Sequence, residues 1–183
     1  QGVIKDGMSW YFAQFNRNKK SVTLDLYTDE GKARLAELLA SADVLVENFR
    51  PGVLDKMGFD EARLKGLNPK LIVGSVNGYG STGPYVNRPS FDFIAQAMSG
   101  FMSLTGAIEG EPMRAAPPIA DLIAGLYCAF GVVTAIAARN RTGEGQYVEA
   151  SLNNSLISLM AFLSAEYFAT GKPPARSGNN HAI

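Results

Sequence analysis

The sequence predicts an α/β fold, a parallel sheet flanked by helices, on three observations. Short β-branched runs alternate with stretches of helical period from Ser21 to Val76. Each helical stretch lies between two strand-like runs, which is the order that makes parallel strands with right-handed crossovers. The composition, 46% hydrophobic and 19% charged, suits a packed core and neither a disordered nor a collagen-like chain.

Ser21 to Leu26 alternates with period two and predicts a strand. Thr28 is a good N-cap for a helix from Asp29 to Ala42, and Asp29 and Glu30 suit the positive end of that helix. Val44-Leu45-Val46 predicts a short buried strand ending at Glu47-Asn48-Phe49. Pro51 opens a short helical stretch closed by Gly58, and Asp60 to Leu67 predicts another helix. Leu71 to Val76 is the next strand and runs into the turn-rich segment from Asn77 to Pro84. In the second half, helices are expected over Asp92 to Leu104, Asp121 to Arg139 and Asn153 to Ala169. A strand from Gln146 to Leu152 precedes the last of them. The tail from Pro173 to Asn180 reads as loop and closes no element, as in a truncated chain.

Seventeen basic residues balance seventeen acidic ones, so global charge offers no argument for a nucleic-acid partner. The lone Cys128 lies in an apolar run, has no metal-ligand spacing around it, and reads as a packed core thiol. The first residues carry no apolar signal core, and a cytoplasmic, soluble protein is the default expectation. Leu122 to Ala138 is an uncharged run of 17 residues. It is short for a bilayer span, which takes about 20 strongly apolar residues, and it is diluted by glycine and alanine. A helix buried between protein layers, with no membrane partner, is therefore expected.

Asp121 follows Pro117-Pro118 and begins the most apolar helix. A carboxylate there is an ordinary acidic helix start, yet aspartate also serves as a nucleophile toward activated carbonyls. Composition and spacing leave both readings open. A second group comprises Leu24, Asp25, Leu26 and Tyr27, then Asn48, Phe49 and Arg50, with Lys56 on the adjoining short helix. Strand ends are where such sheets bind ligands, and an aromatic, an amide and two cations suit a nucleotide with phosphates. The alternative is a solvated loop with Phe49 in the core. Gly78, Gly80 and Gly83 spell G-x-G-x-x-G, but Pro84 and Pro89 follow where a dinucleotide site needs a helix. Ser151 and Ser155 lack a triad, since the one histidine, His181, lies in the tail.

The stretches Asn16-Arg17-Asn18-Lys19-Lys20-Ser21 with Leu24-Asp25-Leu26, and Ala42 through Gly52 (ADVLVENFRPG), resemble the class III CoA-transferase family. That family includes formyl-CoA and carnitine CoA-transferases and the related α-methylacyl-CoA racemases. The resemblance continues through Met57-Gly58, Leu67-Asn68-Pro69, Gly78-Tyr79-Gly80, Gln96 to Gly100, Ala120-Asp121 and Arg141 to Gln146, in the family's order.

The resemblance implies a Rossmann-like parallel sheet with flanking helices. Residues 1–183 are then part of the large CoA-binding domain, with its start and the small C-terminal domain absent. It implies Asp121 as the nucleophile, and Leu24 to Tyr27, Asn48, Phe49, Arg50 and Lys56 as coenzyme A contacts. Lys56 stands where the formyl-CoA enzyme has arginine, which keeps the charge and loses the bidentate fork. Pro89, Ser90, Phe91 and Asp92 match a stretch lining the acyl and pantetheine end. Racemases carry a His-Asp pair where this chain has Phe91-Asp92, and phenylalanine takes no proton, so transfer is favoured over racemisation. The implied substrates are an acyl-CoA and a carboxylic acid, with no cofactor beyond coenzyme A and no metal. The implied full-length assembly is an interlocked homodimer.

Overall fold

The computed structural model describes residues 2–181. It divides into two compact units, one ending at Leu35 and the other starting at Ala36.

The first unit opens with a small antiparallel hairpin, β1 (Ile4–Lys5) and β2 (Met8–Ser9). Asp6 and Gly7, both at positive φ, make its turn. Helix α1 (Trp10–Phe15) follows, with the Ser9 hydroxyl accepting from the Phe12 N–H as its cap. Ser21 to Leu26 is irregular, which corrects the strand expected there. A strand needs a neighbour to pair with its backbone, and period-two alternation alone supplies none. The segment instead ends in a side-chain-tied turn. Asp25 Oδ1 accepts from the Tyr27 N–H at 3.0 Å, and the Asp25 carbonyl accepts from the Thr28 hydroxyl at 2.8 Å. Thr28 Oγ1 in turn accepts from the Gly31 N–H at 3.1 Å, the N-cap expected for α2 (Asp29–Ser41).

The second unit is built on a parallel three-stranded sheet in the order β3 (Val44–Glu47), β4 (Ile72–Asn77), β5 (Tyr147–Ser151). The short helix α3 (Val53–Lys56) and α4 (Glu61–Leu67) connect β3 to β4. Asp60 caps α4 through Arg63 N–H at 2.8 Å. Two long helices of the expected set are each broken. Gly100 at φ 87 separates α5 (Asp92–Met98) from α6 (Phe101–Leu104). Ala161 at φ 48 separates α8 (Leu152–Leu159) from α9 (Phe162–Thr170). A left-handed residue ends the hydrogen-bond ladder of a helix, and neither break shows in the apolar periodicity.

Helix α7 (Ile119–Thr142) lies on one face of the sheet. Small residues allow the close approach. Gly74 of β4 sits under Cys128 and Val132, and Gly131 sits against Val148 of β5. Ala120, Ala124, Leu152, Leu156 and Ala95 form the buried cluster at the helix start. The expectation of a helix buried between layers holds on this side only. Leu126, Phe130 and Val133 are exposed on the other, because a single sheet covers a single face. By length and composition alone α7 could cross a membrane. The sheet face away from α7 carries a polar row at its carboxyl end, with Glu47, Ser75 and Glu149 in register across the strands.

Candidate active site

Asp121 occupies the first turn of α7, as expected, and its side chain reaches solvent. Pro118 holds the N-cap position and has no side-chain group to offer the helix. The Ile119 N–H donates to the Pro117 carbonyl at 2.8 Å, and the Leu122 N–H to the Pro118 carbonyl at 3.0 Å. The Ala120 N–H donates to Asp92 Oδ1 at 2.8 Å. Partial burial, and secondly the negative charge of Asp92, raise the Asp121 carboxyl above its ordinary value.

Asp92 opens α5 and is buried. Both of its oxygens are engaged within the protein, since Oδ2 accepts from Gln96 Nε2 at 2.7 Å. Gln96, fully buried, also accepts from the Ala115 N–H at 2.8 Å. Sequence reasoning missed Gln96 as a site residue; its signal was the spacing of four residues from Asp92 on one helix face. Phe91 is exposed, its ring stacked parallel to that of Phe93 at 6.3 Å. Pro89 is exposed. The Ser90 hydroxyl is shielded from solvent and has no hydrogen-bond partner among the described residues. The structure therefore ties Asp92, at one end of the Pro89–Asp92 stretch, to Ala120, the residue before Asp121.

Asn48, Phe49 and Arg50 leave the carboxyl end of β3. Asn48 Nδ2 donates to the Val76 carbonyl of β4 at 2.5 Å, and the buried Glu47 carboxylate accepts from the Phe49 N–H at 2.8 Å. Arg50 borders an open cleft of about 530 Å3, while Asn48, Phe49 and Lys56 do not line it. Glu47, Asp55, Asp60, Glu61 and Glu149 also border this cleft, a charge balance that opposes a polyphosphate. Leu24, Asp25, Leu26 and Tyr27 belong to the first unit, where the turn described above shapes them and leaves Tyr27 almost wholly exposed. The glycine pattern Gly78, Gly80, Gly83 forms a loop, and no helix follows before Asp92, so no dinucleotide fingerprint is made. No group of three or more His, Cys, Asp or Glu able to hold a metal occurs among the described residues.

A parallel sheet with its loops at the strand carboxyl ends, and a solvent-reaching carboxylate at the start of the covering helix, is an arrangement at which proteins of the α/β class bind small molecules. The particular family follows from comparison. The model of CoA-transferase family III matches residues 1–183, and the chain belongs to that family. It is 42% identical over 171 residues to a succinate–glutarate CoA-transferase of Agrobacterium fabrum, covering 93% of this chain and 43% of that protein. It is 41% identical over 181 residues to an acetyl-CoA:oxalate CoA-transferase of Acetobacter aceti, covering 98% and 46%. Among solved structures, a CAIB/BAIF family protein from Brucella suis superposes with a TM-score of 0.91 at 41% identity, covering 98% of this chain and 48% of that one. The chain thus spans less than half the length of these relatives.

Proposed function

We propose that the protein moves coenzyme A from an acyl-CoA thioester to a carboxylic acid through covalent intermediates on Asp121. The observation that carries this reading is the Asp121 carboxylate itself. It is held on the first turn of a long helix, open to solvent, and made more basic by partial burial and by Asp92. Raised basicity strengthens a carboxylate as a nucleophile.

The steps balance without any outside energy source. An Asp121 oxygen attacks the thioester carbonyl; the C–S bond breaks, giving a mixed anhydride and free CoA thiolate. The thiolate attacks the aspartyl carbonyl, forming an aspartyl-CoA thioester and releasing the donor as its carboxylate. An acceptor carboxylate then attacks this thioester, and the returning thiolate takes the acceptor's acyl group from the second anhydride. One thioester is exchanged for another, and Asp121 is regenerated.

In this reading residues 1–183 form part of the large CoA-binding domain of an interlocked homodimer. Leu24 to Tyr27, Asn48, Phe49, Arg50 and Lys56 hold coenzyme A, and Pro89 to Phe91 border its acyl end, whereas Asp92, expected there with them, is buried with both oxygens engaged within the protein. The relatives' names point to dicarboxylic acids as substrates, namely succinate, glutarate and oxalate.

The deciding experiment is intact-mass and peptide mass spectrometry of the full-length protein, mixed with succinyl-CoA and hydroxylamine. Hydroxylamine captures an activated aspartyl carbonyl as a hydroxamate, and the modification is expected on Asp121. Coenzyme A binding with no adduct across a panel of acyl-CoA thioesters would reduce the protein to a binding module.

A second expectation concerns the Leu24–Tyr27 turn. A Cβ on Gly31 would stand 1.9 Å from the Asp25 carbonyl oxygen and 2.6 Å from its carbon. Gly31→Ala must push the turn away from α2, and titration calorimetry should show coenzyme A binding weakened by about tenfold or more, near 1.4 kcal/mol. Unchanged affinity would remove this turn from the coenzyme A site.

A further inference from the structure

We infer that Asp92 is a positioning residue for the transfer step: braced by Gln96, its carboxylate fixes the first turn of α7 and thereby aims Asp121. This rests on the reading of Asp121 as the nucleophile.

The first turn of a helix has N–H groups without intrahelical partners, and a side chain at the N-cap normally satisfies one of them. Here the N-cap is Pro118, which cannot do so. The missing acceptor comes from a distant part of the chain: Asp92 Oδ1 takes the Ala120 N–H, across 28 positions of sequence. Ala120 immediately precedes Asp121 and is fully buried. Any rotation of the first turn must therefore break a bond to a carboxylate that is itself immobile. Gln96 supplies that immobility. It donates to Asp92 Oδ2 and accepts from the Ala115 N–H, on the segment that leads into Pro117-Pro118. The chain Ala115–Gln96–Asp92–Ala120 thus grips the approach to α7 and its first turn together. Asp92 and Gln96 are both buried, so neither side chain is free to turn toward a substrate.

Positioning is the more economical role because the arrangement has a cost that simple capping avoids. A neutral serine or asparagine caps a helix about as well as aspartate. Asp92 instead sets a second negative charge beside Asp121, the carboxylate that must attack. The charged form accepts two hydrogen bonds at fixed angles, one on each oxygen, and no neutral cap of similar size accepts from both Gln96 and Ala120 in that way. A nucleophile displaced by about 1 Å can lose a hundredfold in rate.

The test exchanges the charge between the two partners in the full-length protein. Asp92→Asn presents an amide N–H to the Gln96 amide N–H and breaks the chain. Transfer should show kcat lowered by about 10- to 100-fold with KM for acyl-CoA within about threefold. In the double variant Asp92→Asn/Gln96→Glu, the introduced asparagine can accept from Ala120 and donate to the introduced glutamate. That glutamate can in turn accept from Ala115. All three bonds return, and kcat should recover to within about fivefold of wild type. A KM rise at unchanged kcat in Asp92→Asn would make Asp92 a substrate contact and overturn the proposal. So would wild-type kinetics in that variant. If Asp92→Asn alone does not fold, the exchanged pair decides: a folded double variant with kcat more than about tenfold below wild type overturns positioning. Failure of the underlying reading looks different, since Asp121→Asn would then transfer coenzyme A normally.

Discussion

Asp121→Asn is expected to lower CoA transfer by the full-length protein about 10^4- to 10^6-fold, while coenzyme A affinity stays within a few-fold of wild type. The asparagine matches the carboxylate in size and lacks its nucleophilic oxygen. Loss of fold can be separated from loss of chemistry by the sign of the stability change. The Asp121 carboxyl is raised above its ordinary value, by burial first and by Asp92 second. Between the ordinary value and the raised one, the native state binds more protons than the unfolded state. Stability therefore falls as pH rises through that window, and the penalty is fully present above it. At neutral pH the uncharged amide of the variant removes that penalty, so thermal unfolding should occur at the same or a higher temperature. Transfer near the wild-type rate would exclude Asp121 as nucleophile, and a markedly lower melting temperature would instead give Asp121 a structural role.

Gly145→Ala should cost about 3 kcal/mol or more in denaturant unfolding. Its Cβ would lie 1.9 Å from the Leu71 carbonyl oxygen, 2.6 Å from the Leu71 carbon and 2.8 Å from the Lys70 carbon. All three are backbone atoms, and no rotamer change moves them. The same residue donates its N–H to the Pro69 carbonyl at 2.8 Å, and the next carbonyl, of Gln146, accepts from Val73 at 2.9 Å. The clash thus falls where β5 joins β4 and sets its register. Gly143 is the control: it caps α7 at φ 79 with open space around its Cβ position, so Gly143→Ala should cost only about 1 kcal/mol. Equal losses at the two glycines would show that the junction yields.

Much of the second unit was legible because its signals are local. Apolar runs bounded by turn residues marked β3, β4 and β5, and Asp60 marked the start of α4 by cap chemistry. In the first unit Thr28 did the same for α2. Elsewhere the deciding interaction was not local. Ser21 to Leu26 alternates like a strand and has no strand beside it. Ala161 breaks a run that holds neither glycine nor proline, and no composition rule places alanine at φ 48. The hairpin β1–β2 was too short to register as a pattern, although Asp6-Gly7 is a recognised turn pair. At the site, a carboxylate starting an apolar helix singled out Asp121. The tie between Ala120 and Asp92 spans two helices and needs a fold before it exists. The acidic border of the cleft beside Arg50 likewise comes from carboxylates of two strands and of the connection between β3 and β4, which only the fold gathers.

The close seating of α7 on the sheet also gives the molecule a chemical clock. Cys128, the one cysteine, is 3% exposed against Gly74, and burial pushes its thiol up toward the unreactive protonated form. A disulfide reagent in solution can meet that sulfur only when the helix lifts away from β4. Labelling of the native protein therefore runs at the pace of that opening and not of the reagent, once reagent is plentiful. The seam that carries Asp121 at its head thus times its own excursions, through a single atom about two turns further along the helix.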